Sequence, residues 1–444
     1  MAIHPIEYRY GREEVKRIFT EENKLQRMLD VEAALAKAHA SVGNIPKKDA
    51  DVIARRASIK HVSVERVNEL EGIMNHDVMA MVKALAEQCG PSGGFVHLGA
   101  TSNDITDTAL ALQMRDYVEF LASDLQKLEK SVLSQARRHK KTVCIGRTHG
   151  QHAVPTTYGL KFAIWATEIQ RHRDRLEECK KRLLVGKMSG AVGTQAALGK
   201  DAARIQRLVM KNLGLRYALV SNQIVQRDRL AEFMLLLALI AESLNKFGIE
   251  IRNLQRTEIG EVSEGFGKRQ VGSSTMPHKR NPIYTERVCG MSRVIKANGI
   301  AALENIALWH ERDLTNSSCE RIIIPEACIL SDYMLQMMID VIDNLVFDSQ
   351  KIKQNLELTQ GRIMSESVMI ELVEKGMDRQ KAHELVRECA MESYQNNKPF
   401  KISLEKNSEI TKLLSKKELA DALRPEKYIG TAVEQVEEVL KQLR

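Results

Sequence analysis

Between Asp104 and His139 no proline or glycine interrupts the chain, and Leu110, Met114, Tyr117, Leu121, Leu125, Leu128 and Val132 recur every three or four positions. That period marks one apolar face of an α-helix, which at 1.5 Å per residue would run about 50 Å. Comparable segments are Thr157 to Leu184, Arg227 to Glu258, Pro282 to Glu311 and Pro325 to Phe347, each apolar along at least one face. The nine prolines and 25 glycines of the 444-residue chain cluster between these stretches. The pattern predicts an all-α fold of three helical domains. Residues 1–98 form the first, ending at Gly90-Pro91-Ser92-Gly93-Gly94; residues 99–348 form a central bundle of five long helices; residues 349–444 form the third. Phe233 to Ala241 is apolar on all sides, so the bundle should be enclosed by neighbours in its own chain or in other subunits, and the chain should oligomerise through it.

That apolar run is nine residues, where a membrane span needs about 20, so no membrane partner is expected. Met1 to Tyr10 carries charges and a proline in place of a leader's apolar stretch. Seven cysteines stand singly with no C-x-x-C pair, which argues against a disulfide framework or zinc ribbon and for a reducing, cytoplasmic setting. The formal charge of +8 admits nucleic acid or a small substrate with several negative charges. Cations interleave with acids along helical faces, as in Glu177-Glu178-Cys179-Lys180-Lys181-Arg182, and aromatics for base stacking are few. Nucleic acid is therefore not the expected partner.

Three polar strings fall between the long helices: His97-Leu-Gly-Ala-Thr-Ser-Asn-Asp104, Gly146-Arg-Thr-His-Gly-Gln-His152 and Gly272-Ser-Ser-Thr-Met-Pro-His-Lys-Arg-Asn-Pro282. In the third, small residues lead into a basic segment just before a helix, a pattern in which successive backbone N–H groups make an anion nest with Lys279 and Asn281 at its edge. Glu258 to Gln270 reads as a lid with Gly265 and Gly267 as hinges. Gly186-Lys187-Met188-Ser189 lacks the upstream glycine of a phosphate loop. His149 and His152 have no third ligand at a zinc-like spacing, so neither a metal nor another cofactor is expected. Acid/base work suits His149, whose kind of side chain can donate a proton near neutral pH.

The third string resembles the signature loop of the fumarase/aspartase superfamily, and all three occur in that superfamily's order, with a similar turn at Gly186-Lys-Met-Ser-Gly-Ala-Val-Gly-Thr194. Within it the chain looks most like the adenylosuccinate lyase family, through Asn75-His76-Asp77-Val78, Thr101-Ser-Asn-Asp104, Gln223-Ile-Val-Gln-Arg-Asp228 and Trp309-His-Glu-Arg-Asp313. Asn103 departs from it, since many relatives carry a second serine there.

The resemblance implies an anti β-elimination of fumarate from adenylosuccinate, leaving AMP, and the same cleavage of succinylaminoimidazole carboxamide ribotide in purine biosynthesis. Ser273 would take the proton, with Ser274 the alternative base, His149 would protonate the departing nitrogen, and Glu286 would orient a histidine. Lys279 and Asn281 would hold carboxylate charge. Arg9, Tyr10, Arg312, Ser317 and Arg321 would grip the phosphate, a use that other fumarate-releasing relatives lack. His76, Asp77, Thr101, Ser102 and Gln223 would line the pocket, and His97 would support it. The resemblance also implies a homotetramer whose active sites are shared between subunits.

Overall fold

The computed structural model describes residues 3–267 and 272–443. Its elements used below are helices α1 (Glu21–Ser41), α2 (Asp77–Cys89) and α3 (Ser102–Arg138), strands β1 (Val143–Thr148) and β2 (Gln151–Thr157), and helix α4 (Tyr158–Leu183). Strand β3 (Val185–Gly186), helix α5 (Ala202–Leu213), strand β4 (Arg216–Tyr217), helix α6 (Asp228–Leu254) and strand β5 (Val262–Ser263) follow. Helices α7 (Ile283–Glu304) and α8 (Thr315–Asp343) and strand β6 (Val346–Phe347) precede a set of shorter C-terminal helices.

The fold is all-α, and the five long helices expected from the periodicity are α3, α4, α6, α7 and α8. Their ends differ where local chemistry differs. Pro325 was expected to open a helix, yet it lies inside α8, which starts ten residues earlier. Proline lacks the N–H that the Arg321 carbonyl would accept from; the apolar run Ile322-Ile323-Ile324 ahead of it holds the preceding turns by packing instead, with Ile323 and Ile324 buried.

By contacts the chain divides into two compact units, and the division falls within each of the five long helices. The first unit takes the residues up to Gln126, His172–Leu244 and Gly290–Gln336. Its core joins Leu29 and Leu35 of α1, Met81 and Leu85 of α2, Ile105 at the start of α3 and Ile205 and Val209 of α5. Tyr117 of α3 meets Phe233 of α6 edge-on, with ring centroids 6.1 Å apart. The apolar run of α6 is not enclosed within one chain: Leu239 is 52% exposed, and beside it on α7 Ile300 is 62% and Leu303 42% exposed.

The second unit takes Lys127–Arg171, Asn245–Cys289 and the residues from Met337 onward. Strands β1 and β2 pair antiparallel around His149 and Gly150, and β5 pairs with β6. The C-terminal helices close over Val368, Leu372, Val386, Phe400, Leu404, Ile410 and Leu419. One helix, α8, is long and apolar enough to cross a membrane, but 67% of its most apolar window is buried inside the chain, as the core helix of a globular protein is.

Candidate active site

The residues expected at the site divide between the units. Arg9, Tyr10, His76, Asp77, Thr101, Ser102, Gln223, Arg312, Ser317 and Arg321 belong to the first, and His149, Ser273, Ser274, Lys279, Asn281 and Glu286 to the second.

In the first unit the organising residue is Asp104. Its carboxylate accepts from the backbone N–H groups of Thr101 (2.9 Å), Ser189 (2.9 Å) and Gly190 (3.1 Å) and from the Lys187 ammonium. Both side chains of the pair are wholly buried. The Thr101-Ser102 turn that opens α3 is thereby tied to the buried 186–190 turn. Lys187, read from sequence as a failed phosphate loop, is a structural cation. A lysine among small and apolar residues was the available signal, because a buried ammonium requires a carboxylate.

A second buried network positions Gln223 and α8. Arg227 grips Asp107 through two parallel bonds of 2.9 and 3.0 Å and reaches Glu320 at 2.9 Å, while Asp107 also accepts from the Val225 N–H at 2.8 Å. Burial pushes the Asp107 carboxyl up, but the Arg227 guanidinium outweighs it and holds it below the usual carboxylate range. Burial wins at Glu320, whose pKa is raised despite the same guanidinium. One cation thus serves two carboxylates, and it outweighs burial only at Asp107.

Around these networks, Gln223 accepts at 3.2 Å from Arg312, whose buried Nε has no partner among the described residues. The Arg312 guanidinium is thus positioned and incompletely satisfied. Arg321 pairs with Asp77 at 3.0 Å. His76 caps α2, its Nδ1 accepting from the Met79 N–H at 3.3 Å, so in the neutral ring Nε2 carries the proton. The left-handed turn at Asn75 (φ 52°) sends the chain into that cap. Ser317 lies in the first turn of α8. Arg9 sits 5.9 Å from the Tyr10 ring centroid, and this segment is anchored by Arg12, which pairs with the buried carboxylates of Asp124 and Asp332. His97 is a supporting residue, its Nδ1 2.7 Å from the buried Glu32 carboxylate and its backbone N–H donating to the same group at 3.0 Å.

In the second unit, His149 occupies the tip of the β1–β2 hairpin. His149 (φ 53°) and Gly150 (φ 73°) both take left-handed backbone, the two-residue turn whose twist matches the flanking strands. The polar string thus forms a strand pair, for which Val143, Ile145, Val154 and Thr156 around a His-Gly pair are the signal in the sequence. The imidazole is exposed at the tip. The root is buried: Arg147 and the Tyr158 hydroxyl both donate to Glu261, and Asn355 adds a bond at 2.7 Å. Burial, and then the Glu261 charge, push the Tyr158 phenol far up, so it remains a donor. His152, on β2, has a buried Nδ1 without a partner among the described residues. Burial, then Arg147, lower its pKa, which leaves it neutral.

The loop at 272–282 folds back on itself. Asn281 donates to the Gly272 carbonyl at 3.0 Å, and a Cβ on Gly272 would stand 1.9 Å from the Lys279 carbonyl oxygen. Inside the loop, the Ser273 Oγ accepts from the N–H groups of Thr275 (3.3 Å) and Met276 (3.0 Å). Ser274 and Lys279 are exposed. Glu286 is exposed in the first turn of α7, and no hydrogen bond joins it, or Ser273, to His149 among the described residues.

The first half of the segment expected to be a lid is fixed in place. Val262 and Ser263 are paired with β6, and Glu264 accepts from Tyr284 N–H (3.2 Å), Thr285 N–H (2.6 Å) and the Thr285 hydroxyl (2.6 Å), capping α7. Gly265, read as a hinge, is a close approach, since its Cβ would lie 2.8 Å from the Asn344 carbonyl. Lys268 to Val271, the rest of the lid and the entry to the loop, lie outside the described residues. Among the described residues no cluster of three metal-ligating side chains occurs.

Comparison with known proteins supplies what geometry in one chain does not. The family model described as "Lyase" matches residues 7–296, and that described as "Adenylosuccinate lyase C-terminus" matches residues 361–439. The adenylosuccinate lyase of Pyrococcus horikoshii is 57% identical over 99% of this chain and 98% of its own length, and that of Methanocaldococcus jannaschii is 53% identical over 100% and 96%. Among solved structures, a fumarate lyase from Mesorhizobium sp. BNC1 superposes with a TM-score of 0.90 at 29% identity, covering 97% of this chain and 98% of its own. The 3-carboxy-cis,cis-muconate lactonizing enzyme of Pseudomonas putida also gives 0.90, at 33% identity, covering 99% and 98%.

Proposed function

Because the chain belongs to the adenylosuccinate lyase family and is a carbon–nitrogen lyase, we propose that it carries out an anti β-elimination on adenylosuccinate with Ser273 as base and His149 as acid. Ser273 removes the proton from the carbon beside one succinyl carboxylate; the freed electron pair forms the double bond as the C–N bond breaks, and His149 protonates the departing nitrogen. Fumarate and AMP leave, and the same groups cleave succinylaminoimidazole carboxamide ribotide.

The observation that carries this reading is the pair of backbone N–H groups on the Ser273 Oγ. A serine hydroxyl is a poor base in water, and such donors, with the Lys279 ammonium at the loop edge, stabilise the alkoxide that must form. The exposed Ser274 has only a 3.5 Å contact with Thr275, which favours Ser273. Lys279 and Asn281 would hold the carbanion's charge, while Arg9, Tyr10, Arg312, Ser317 and Arg321 receive the phosphate by charge-assisted bonds. The unpartnered Arg312 Nε supports that role. His76, Asp77, Thr101, Ser102 and Gln223 line the pocket, and Glu286 orients a histidine across the site.

We further propose a homotetramer with shared active sites. The apolar side chains left exposed on α6 and α7 support it. The buried free thiols of Cys89, Cys144, Cys179, Cys328 and Cys389 suit a cytoplasmic setting.

The test follows absorbance and fumarate release from adenylosuccinate for the wild type and for Ser273→Ala and His149→Ala variants of unchanged mass in light scattering. Each variant should lose at least about 100-fold in kcat. An active Ser273→Ala would move the base to Ser274, and a monomeric but active wild type would remove the shared-site proposal.

A further inference from the structure

The first unit holds a cavity of about 600 Å³ that none of the proposed site residues lines. Five cations face it: Lys181 near the end of α4, Arg207 and Lys211 on α5, Arg216 on β4 and Arg229 in the first turn of α6, with Tyr217 beside them and no carboxylate in the lining. Elsewhere the chain interleaves cations with acids, so this is an unusual concentration of charge.

Structural roles account for part of it. Lys181 and Lys211 lie in the last turns of their helices, where the helix dipole favours cations. Arg216 donates to the Lys181 carbonyl at 3.4 Å and Arg229 to the Arg182 carbonyl at 2.9 Å, which closes the end of α4. Each of those bonds uses one of five guanidinium N–H donors. The remainder is unexplained by the fold. Arg229 stands at the N-terminal end of α6, where the dipole disfavours it. Arg207 and Lys211 are one turn apart on α5, so their charges repel, and neither has a carboxylate partner among the described residues. Lys181 has one, Glu178 at 2.7 Å, in a pair that is more than half exposed on both sides. Convergent cations without counter-charge are what an anion of high charge requires, and arginines on separate elements suit the oxygens of phosphate groups.

We propose that this cavity binds an anion carrying two or more phosphate groups, held by Arg207, Lys211, Arg216 and Arg229, with Tyr217 offering a ring face to any base attached. No residue proposed for catalysis lines the cavity, so an effector held here should still bind when Arg321 is replaced by alanine.

The test titrates inorganic tripolyphosphate, and in parallel ATP, into the full-length protein by calorimetry at about 0.1 M salt, where exposed charges beyond about 10 Å are screened. Wild type should bind one tripolyphosphate per chain in this cavity, and Arg207→Ala/Lys211→Ala should weaken binding at least about tenfold, the scale for losing charge-assisted bonds, while turnover without effector stays unchanged. Tighter binding of ATP than of tripolyphosphate would add a nucleoside to the ligand class, with Tyr217→Ala removing the difference. A control Lys416→Ala/Lys417→Ala variant carries the same charge change on a C-terminal helix. The proposal is overturned if wild type shows no saturable binding, if the control loses as much as the cavity variant, or if Arg321→Ala abolishes binding while Arg207→Ala/Lys211→Ala does not.

Discussion

The Lys187 ammonium and the Asp104 carboxylate form an ion pair from which water is excluded on both sides. Removing one partner strands the other, at a cost of about 3–5 kcal/mol. Asp104→Asn should therefore destabilise the protein by roughly that amount in chemical denaturation. Replacing both partners with apolar residues often restores stability at buried pairs, but here it should not. The backbone N–H groups of Thr101, Ser189 and Gly190 would lose their acceptor, each at about 1–3 kcal/mol. A fully stable Asp104→Leu/Lys187→Met variant would show that the turns are held by something else.

The His97 imidazole gives the fold a pH dependence near neutrality. Burial disfavours its charged form, but the Glu32 hydrogen bond and charge, with Asp104 behind them, outweigh burial and raise its pKa. A group whose folded pKa is raised contributes stability that is complete below the unfolded value, about 6.5, and is lost as pH rises through the folded one. The urea midpoint of the wild type relative to His97→Gln should fall as pH rises above about 6.5, since each tenfold gain in proton affinity on folding is worth about 1.4 kcal/mol. His97→Gln should flatten that part of the profile, and an unchanged slope would exclude the pair as its source.

What the sequence made legible follows from what its patterns encode. The long helices were visible because apolar residues repeat at the helical period, as from Leu110 to Val132. The start of α8 was missed because Pro325 is a strong local stop that tertiary packing overrides. The β1–β2 hairpin was missed because Pro155 and the polar string around His149 resemble a loop until the strands pair. Site residues that would face substrate were named through resemblance. Those holding them in place, Glu32, Glu261 and Glu264, were not, because a buried carboxylate reads locally as an ordinary surface acid. Pairings such as Arg147 with Glu261 join positions more than a hundred residues apart.

Gly272 should be irreplaceable for a reason of space. Alanine there places a Cβ 1.9 Å from the Lys279 carbonyl oxygen, well inside contact distance, so the loop must open and carry Ser273 with it. A displacement of about 1 Å in a reacting group costs on the order of 100-fold in rate. Gly272→Ala should lose about that much in kcat, while the thermal midpoint stays near wild type because the loop from Ser274 to Arg280 is exposed. A variant that unfolds early would place the defect in the fold and not in the loop.

Glu261 should tie stability to catalysis through Arg147, which lies two residues before His149 on β1. The carboxylate is wholly buried, and Arg147 is only 17% exposed. Glu261→Gln preserves the shape and removes the charge, leaving a guanidinium without its counter-ion and a side-chain amide where Tyr158 and Asn355 both donate. The expected loss of stability is about 3–5 kcal/mol. If His149 acts as the acid, it works only as the nitrogen departs, so a shifted hairpin tip should lower kcat and leave KM nearly unchanged. Glu261→Asp, which restores the charge at a shorter reach, should recover part of both. Equal changes in kcat and KM, or a stable Glu261→Gln with normal turnover, would mean that the root of the hairpin does not set the position of its tip.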